Sequence, residues 1–219
     1  LAVDRPDIQY AVKEVCRAMS APTVGDRRRV KRIARYLVDR PRLVLRYPWQ
    51  ASDVSVDTYS DANWAGCSKT ARSTSGGSVM RGVHLLKTWS STQKNITLSS
   101  GEAELVAAVK AAAESIGVCR MAHDWGDQSE CTLHVDSSAA IGMVHRRGSG
   151  KLRQIKIGQL WIQERAEEGE ITVKKVLGEY NSADLMTKHV AEKRLLQLID
   201  YMGCDLRQGR ADSGLQLVG

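Results

Sequence analysis

Thr58-Tyr-Ser-Asp-Ala-Asn-Trp-Ala-Gly66 decides how the rest of the chain is read. The sequence leading into it alternates, Val54-Ser-Val-Asp-Thr-Tyr, with the two-residue period of a strand. Asp61 stands at the end of that strand. A single aspartate in such a place is ordinarily a solvated turn residue. Three more carboxylates change the reading: Glu102 opens a helix, Asp136 ends a second strand, and Asp184 opens a late helix. Held together without a cation, four carboxylates repel and raise one another's pKa. With a cation they form an all-oxygen cage suited to hard divalent ions. The sequence therefore predicts a fold that gathers Asp61, Glu102, Asp136 and Asp184 at one edge of a sheet.

Length and composition bound the setting. The chain has 219 residues, enough for one full domain and a smaller piece. With 42% hydrophobic residues it can bury a core, and with no Phe that core falls to Leu, Val, Ile and five Trp. A formal charge of +7 points to a polyanionic partner, or to ordinary surface charge. The five cysteines (Cys16, Cys67, Cys119, Cys131, Cys204) are odd in number and lack CxxC spacing. That pattern fits a reducing compartment and argues against a zinc site or a disulfide framework. No apolar run approaches the ~20 residues of a membrane helix, and no signal peptide is visible. The chain starts at Leu1 without Met and reads as a piece of something longer.

Taken in order, residues 1–47 read as mainly helical. Ile8, Ala11, Val12 and Val15 keep helical spacing after Pro6, and Asp26 is a candidate N-cap for a second helix. That helix is apolar at Val30, Ile33, Ala34 and Leu37 and basic over Arg27, Arg28, Arg29, Lys31, Arg32 and Arg35. The basic face is either solvated surface or a phosphate contact. Residues 43–47 look like a short strand, and residues 48–52 a linker. Strands then follow at 54–61, 75–81 and 84–91, the last two a hairpin around Gly82. Ser99-Ser-Gly-Glu102 fits a capping box at the head of a long Ala-rich helix, residues 101–125. Glu102 is therefore either that cap or a metal ligand. Thr132-Leu-His-Val-Asp136 is a strand, residues 137–145 a small-residue helix and 155–168 an amphipathic one. A strand at 171–176 follows, then a helix carrying Asp184 that Asn181 or Ser182 caps. The tail after Gly203 reads as disordered. This βββ-α-β-α-α-β-α order predicts a mixed five-stranded sheet flanked by helices, three strands antiparallel and two parallel.

The order, with its Asp-Glu-Asp-Asp placement, resembles the ribonuclease H fold. Tyr59-Ser-Asp-Ala-Asn-Trp-Ala-Gly66, Arg72-Ser-Thr-Ser-Gly76, Trp89-Ser-Ser-Thr-Gln93, Leu98-Ser-Ser-Gly-Glu-Ala-Glu104, Val135-Asp-Ser-Ser-Ala139 and Ala183-Asp-Leu-Met-Thr-Lys188 are similar to the ribonuclease H domain of copia-type LTR-retrotransposon polyproteins. Arg5-Pro-Asp-Ile8 and Val30-Lys-Arg-Ile-Ala-Arg-Tyr-Leu37 resemble the end of the reverse transcriptase just upstream in such polyproteins. The resemblance divides the chain into a helical segment at 1–50, a ribonuclease H domain at 51–190, and a C-terminal helix with a disordered tail at 191–219.

The resemblance implies metal-dependent endonucleolytic hydrolysis of the RNA strand of RNA–DNA hybrids, leaving 5′-phosphate and 3′-hydroxyl ends. Two Mg²⁺ ions, with Mn²⁺ as an alternative, would be held by Asp61, Glu102, Asp136 and Asp184 as catalytic ligands. Arg72, Ser73, Thr74, Arg146, Arg147, Lys151 and Arg153 are the candidate nucleic-acid contacts, with a solvated surface as their bland reading. Partners would be the hybrid and the reverse transcriptase portion of the same polyprotein, with no membrane, inside the cell in a cytoplasmic virus-like particle or the nucleus. Three departures stand out. Asn63 replaces the family's usual Asp, residues 177–182 lack the His of cellular enzymes, and Gln154 stands where the family often has His. The rival reading is an inactive module of the same fold that binds nucleic acid or braces a reverse transcriptase.

Overall fold

The structure, a computed structural model, describes residues 2–51, 54–150 and 155–209. The chain opens with α1 (Pro6–Cys16), whose Pro supplies a preset φ where no N–H is needed. Helix α2 (Val24–Asp39) follows. Its cap is Thr23, not Asp26: the Thr23 hydroxyl accepts the Asp26 N–H, and the Asp26 carboxylate returns the bond to Thr23 N–H at 2.9 Å. Asp26 is thus the third-position partner of a capping box rather than the cap. A short strand, β1 (Arg42–Leu45), ends this segment.

The expected five-stranded mixed sheet is present. It consists of β2 (Val56–Asn63), β3 (Thr74–Arg81), β4 (His84–Thr92), β5 (Cys131–Val135) and β6 (Thr172–Lys175), in the order β4-β3-β2-β5-β6. The first three pair antiparallel, and β5 and β6 add parallel to β2. This is the arrangement that the order of the elements implied. Parallel addition requires crossovers, and the helices supply them. Helix α3 (Ser100–Asp124) links β4 to β5, and α4 (Ser138–Val144) and α5 (Ile157–Glu167) link β5 to β6. Leu105, Ala108, Ala111, Ala112 and Ile116 of α3 bury against Val56, Val79, Leu133 and Val135 of the sheet. The run of alanines lets a long helix lie close on the strands.

A second apolar cluster lies apart from the first. After a 3-10 turn at Gly178–Tyr180 come α6 (Asp184–Thr187) and α7 (Glu192–Tyr201). Leu185, Met186, Leu198, Ile199 and Met202 pack there with Met80 and Leu85. The segment after Gly203, read from sequence as disordered, begins instead with a strand, β7 (Cys204–Arg207). It pairs antiparallel with β1, Leu43 opposite Leu206 and Leu45 opposite Cys204, and its apolar residues complete the second cluster. The helical N-terminal segment is therefore laddered to the C-terminal one.

Gly76 positions α6. It lies directly opposite Asp61 in the β2–β3 register. A Cβ added there would come 2.5 Å from Met186 Cβ and 2.7 Å from Thr187 Cγ2. The missing side chain is what allows the one-turn helix to rest on the sheet. Gly76→Ala is expected to destabilise by about 1–3 kcal/mol, as overpacking does. Gly117, exposed within α3 with open space around its Cα, should respond oppositely, Gly117→Ala stabilising by about 0.5–1 kcal/mol. Urea midpoints at unchanged slope measure both.

Candidate metal centre

Three of the four expected carboxylates converge. Asp61 comes from near the end of β2, Asp136 from just past β5, and Asp184 from the first residue of α6. One carboxylate oxygen from each lies within 4.8 Å of the other two. Strand ends at a sheet edge deliver side chains outward, and β2 and β5 are parallel neighbours, so their ends lie side by side. Asn181 locks the third element onto them. Fully buried, it donates to Ser60 O at 3.0 Å, accepts Ala183 N–H at 3.2 Å, and its side chain also bonds Asp136. It does not cap α6, whose cap position is Ala183.

Glu102 does not join the cluster. Its carboxylate turns back along the loop and accepts the Leu98 N–H at 2.8 Å, while Ser99 Oγ accepts the Glu102 N–H. The capping alternative is the one the geometry supports. The carboxylate that faces the aspartates is Glu104. Two residues on an α-helix turn the side chain by about 200°, so Glu102 and Glu104 point to different sides of α3. Glu104 is buried, feels the charges of Asp61 and Asp136, and has a backbone bond from Ala62. Its Oε2 has no hydrogen-bond partner among the described residues. The sequence carried a signal for it. Glu104 stands in phase with Ala108, Ala111 and Ala112, the buried stripe that faces the sheet.

Electrostatics follow from crowding and burial. Burial pushes Asp61 up to about 6, with Asp184 and Asp136 adding to the rise and Lys188 and Thr187 opposing it. Burial, then Asp61 and Asp136, pushes Glu104 up to about 9. Asp136 is raised by burial and by Asp184. Lys188 answers this charge, with Nζ 2.7 Å from Asp184 Oδ1 and 3.8 Å from Asp61 Oδ2. Burial alone would lower its pKa, but Asp61 and Asp184 outweigh burial and hold it above the usual lysine value. The Thr187 hydroxyl donates to Asp61, and Arg194 reaches Asp184 at 3.4 Å. Asn63 Nδ2 is 3.5 Å from Thr187 O, at the end of α6.

The candidate nucleic-acid contacts scatter. Arg72 is exposed, but Ser73 and Thr74 are buried. Ser73 Oγ accepts the Ala65 N–H, and Thr74 Oγ1 accepts from Lys13 at 2.8 Å, so neither faces a ligand. Arg146 donates to Ser149 O at 2.8 Å within its own loop, and Arg147 pairs with Glu167. Lys151, Arg153 and the Gln154 departure lie outside the described residues.

No protein-family model matches the chain. It is 29% identical over 206 residues, 93% of its length, to the retrovirus-related Pol polyprotein from transposon RE1 of Arabidopsis thaliana. It is 31% identical over 196 residues, 87% of its length, to the Pol polyprotein from transposon TNT 1-94 of Nicotiana tabacum. Its homologues are copia-type retrovirus-related Pol polyproteins. The chain spans only 14% of either polyprotein. Among solved structures, the N-terminal ribonuclease H domain of a Mycobacterium tuberculosis protein aligns with a TM-score of 0.47 and 15% identity, covering 67% of this chain and 97% of that one. Among the described residues, no helix is long and apolar enough to cross a membrane.

The raised carboxyls set a pH dependence. Where a carboxyl's folded pKa exceeds its unfolded value, the native state holds a proton the unfolded chain has lost, and stability falls as pH rises between the two values. For Glu104 that window runs from about 4.3, the ordinary glutamate value, to about 9. Glu104→Gln removes the effect. In EDTA, its melting temperature minus that of the wild type should grow steadily across this window and stay flat below it. A difference independent of pH would mean that Glu104 does not hold its proton there.

Proposed function

We propose that the chain is a metal-dependent endonuclease that hydrolyses the RNA strand of RNA–DNA hybrids, with Asp61, Glu104, Asp136 and Asp184 as its metal ligands. The observation that carries this is the convergence of acids from four separate elements on one edge of a ribonuclease H-like sheet, one of them buried with an unsatisfied oxygen. Burying such charges is costly unless something cationic meets them. The donor set is all oxygen, which suits Mg²⁺ or Mn²⁺ rather than softer metals. Bound divalent ions supply an activated water and charge stabilisation at the leaving 3′-oxygen, leaving 5′-phosphate and 3′-hydroxyl ends.

The protein's own contribution is positional. β2 and β5 fix Asp61 and Asp136 on rigid strands, and Asn181 and Gly76 fix α6 beside them. Thr187 orients the Asp61 carboxylate. Lys188 and Arg194 offset the negative charge of Asp184. The homology to Pol polyproteins supports a place beside a reverse transcriptase in a longer chain, with residues 1–50 as the end of that neighbour and 51–190 as the nuclease.

Hybrid cleavage in Mg²⁺ tests the assignment. Asp61→Asn, Glu104→Gln and Asp136→Asn should each lower the rate by more than about 100-fold, the scale of losing a preorganised electrostatic contact to the transition state. Glu102→Gln keeps its capping acceptor and should cleave at close to the wild-type rate. If Glu102→Gln is dead and Glu104→Gln active, the ligand set is wrong. If the wild type binds hybrid and never cleaves it, the inactive-module reading holds. Titration with Mg²⁺ near pH 7, followed by calorimetry in two buffers of different ionisation heat, should show proton release that Glu104→Gln reduces, because ligands must lose their protons to bind metal.

A further inference from the structure

A groove of about 630 Å³ runs between the N-terminal helices and the loop at residues 66–70. Its α2 wall presents Arg29, Arg32 and Ile33, which recur at helical spacing and so lie on one face. Arg17, at the C-terminal end of α1, and Lys69 face them. The acids in the groove are already matched. Glu14 pairs with Lys13 and with Arg17 at 3.5 Å, and Asp26 is held by Thr23 and by Arg29 at 3.0 Å. Arg32 and Lys69 make no ion pair among the described residues.

The charge of α2 is otherwise hard to account for. Six of its sixteen residues are Arg or Lys, and Asp26 is its only buried residue. Little of this helix is needed to fill a core. The basic loop at 146–150 differs, because Arg146 and Arg147 are already engaged within the protein. Of these two basic stretches, α2 is the one that carries cations without an ion pair among the described residues.

In the groove wall His189 packs edge-on against Tyr10, with ring centroids 5.0 Å apart. The residue before it is Lys188, which touches Asp184. The groove wall is thus one residue along the chain from a lysine that touches the carboxylate cluster. We infer that this groove carries the sugar–phosphate backbone of a nucleic-acid strand between the carboxylates and α2. The partner is a polyanion because the open groups are cations. It is a nucleic acid rather than an acidic protein because His189 in the groove wall adjoins Lys188 of the proposed site of hybrid hydrolysis, and to that extent the inference rests on that reading.

Binding of a fluorescently labelled RNA–DNA hybrid to the 219-residue chain tests it, followed by anisotropy over a salt series in EDTA and without hydrolysis. The groove variant is Arg29→Gln, Arg32→Gln and Lys69→Gln together. The control changes Arg27, Arg28, Lys31 and Arg35 to Gln on the other faces of α2. Each lost phosphate contact flattens the log–log salt slope by about 0.9 for duplex DNA. The groove variant should lose about two to three units of slope and the control less than one. A double variant, Arg32→Gln with Lys69→Gln, breaks no ion pair. It should keep the wild-type melting temperature and still lose about one to two units. A wild-type slope in the groove and double variants overturns the inference, as does a loss confined to the control. Cleavage in Mg²⁺ is scored separately. Groove-dependent binding without cleavage leaves the groove standing and removes the hydrolytic reading. Cleavage with a groove-independent slope does the reverse.

Discussion

Four acidic side chains share a volume from which water is largely excluded, and their mutual repulsion is the constraint around which the rest of the molecule is arranged. Asp61, Glu104, Asp136 and Asp184 come from three layers of the fold, so nothing local in the chain holds them together. Only rigid supports can. Two parallel strand ends hold two of the acids, a long helix packed through its alanines holds the third, and a one-turn helix wedged against Gly76 holds the fourth. The fold meets the electrostatic cost partly by leaving a proton on Glu104, whose pKa is pushed up to about 9, and partly by bringing Lys188 into the cluster. Such a site is poised for cations, because a divalent ion relieves repulsion that protonation and one lysine relieve incompletely.

Two apolar clusters divide the mechanical work. The larger, between sheet and α3, fixes the strand ends and the helix that carries Glu104. The smaller, around Met186, Leu198 and Met202, fixes α6. Asn181 joins them by bonding β2 on one side and Asp136 and Ala183 on the other. The distance between Asp184 and the other acids is therefore set by how two separately packed bodies meet, rather than by one core.

Much of this was legible in the sequence. The period-two runs and the helical stripes located the five sheet strands and the helices between them, and the order of these elements implied the mixed sheet. Asp61, Asp136 and Asp184 could be read because each stands at or beside the end of an element, where a strand or helix delivers a side chain to a sheet edge. The choice between Glu102 and Glu104 could not be made from the capping motif. Ser99 and Glu102 satisfy that motif, and satisfying it is what turns Glu102 away from the aspartates. Phase along α3 distinguishes the two. Strand β7 escaped notice because it is four residues long and its partner lies some 160 residues upstream, a pairing that leaves no local pattern. Composition also does not show that Arg147, in the loop after α4, meets Glu167 of α5.

The ladder between β1 and β7 has a topological consequence. It brings the stretch just after the first two helices against the stretch just after the last one, closing most of the chain into a ring. The position of α2 relative to the acids is thus set by this ladder together with the contacts of α1, where Lys13 meets Thr74 and Tyr10 meets His189. A strand ladder of four residue pairs is a modest clasp, and the termini of a fold are where opening starts. Opening the clasp would expose the edges of both strands while Gln9 on Thr88, Lys13 on Thr74 and Tyr10 on His189 still held the first helix to the sheet and to the segment after α6. The basic helices and the acidic centre are therefore joined twice, once by a strand ladder and once by side chains.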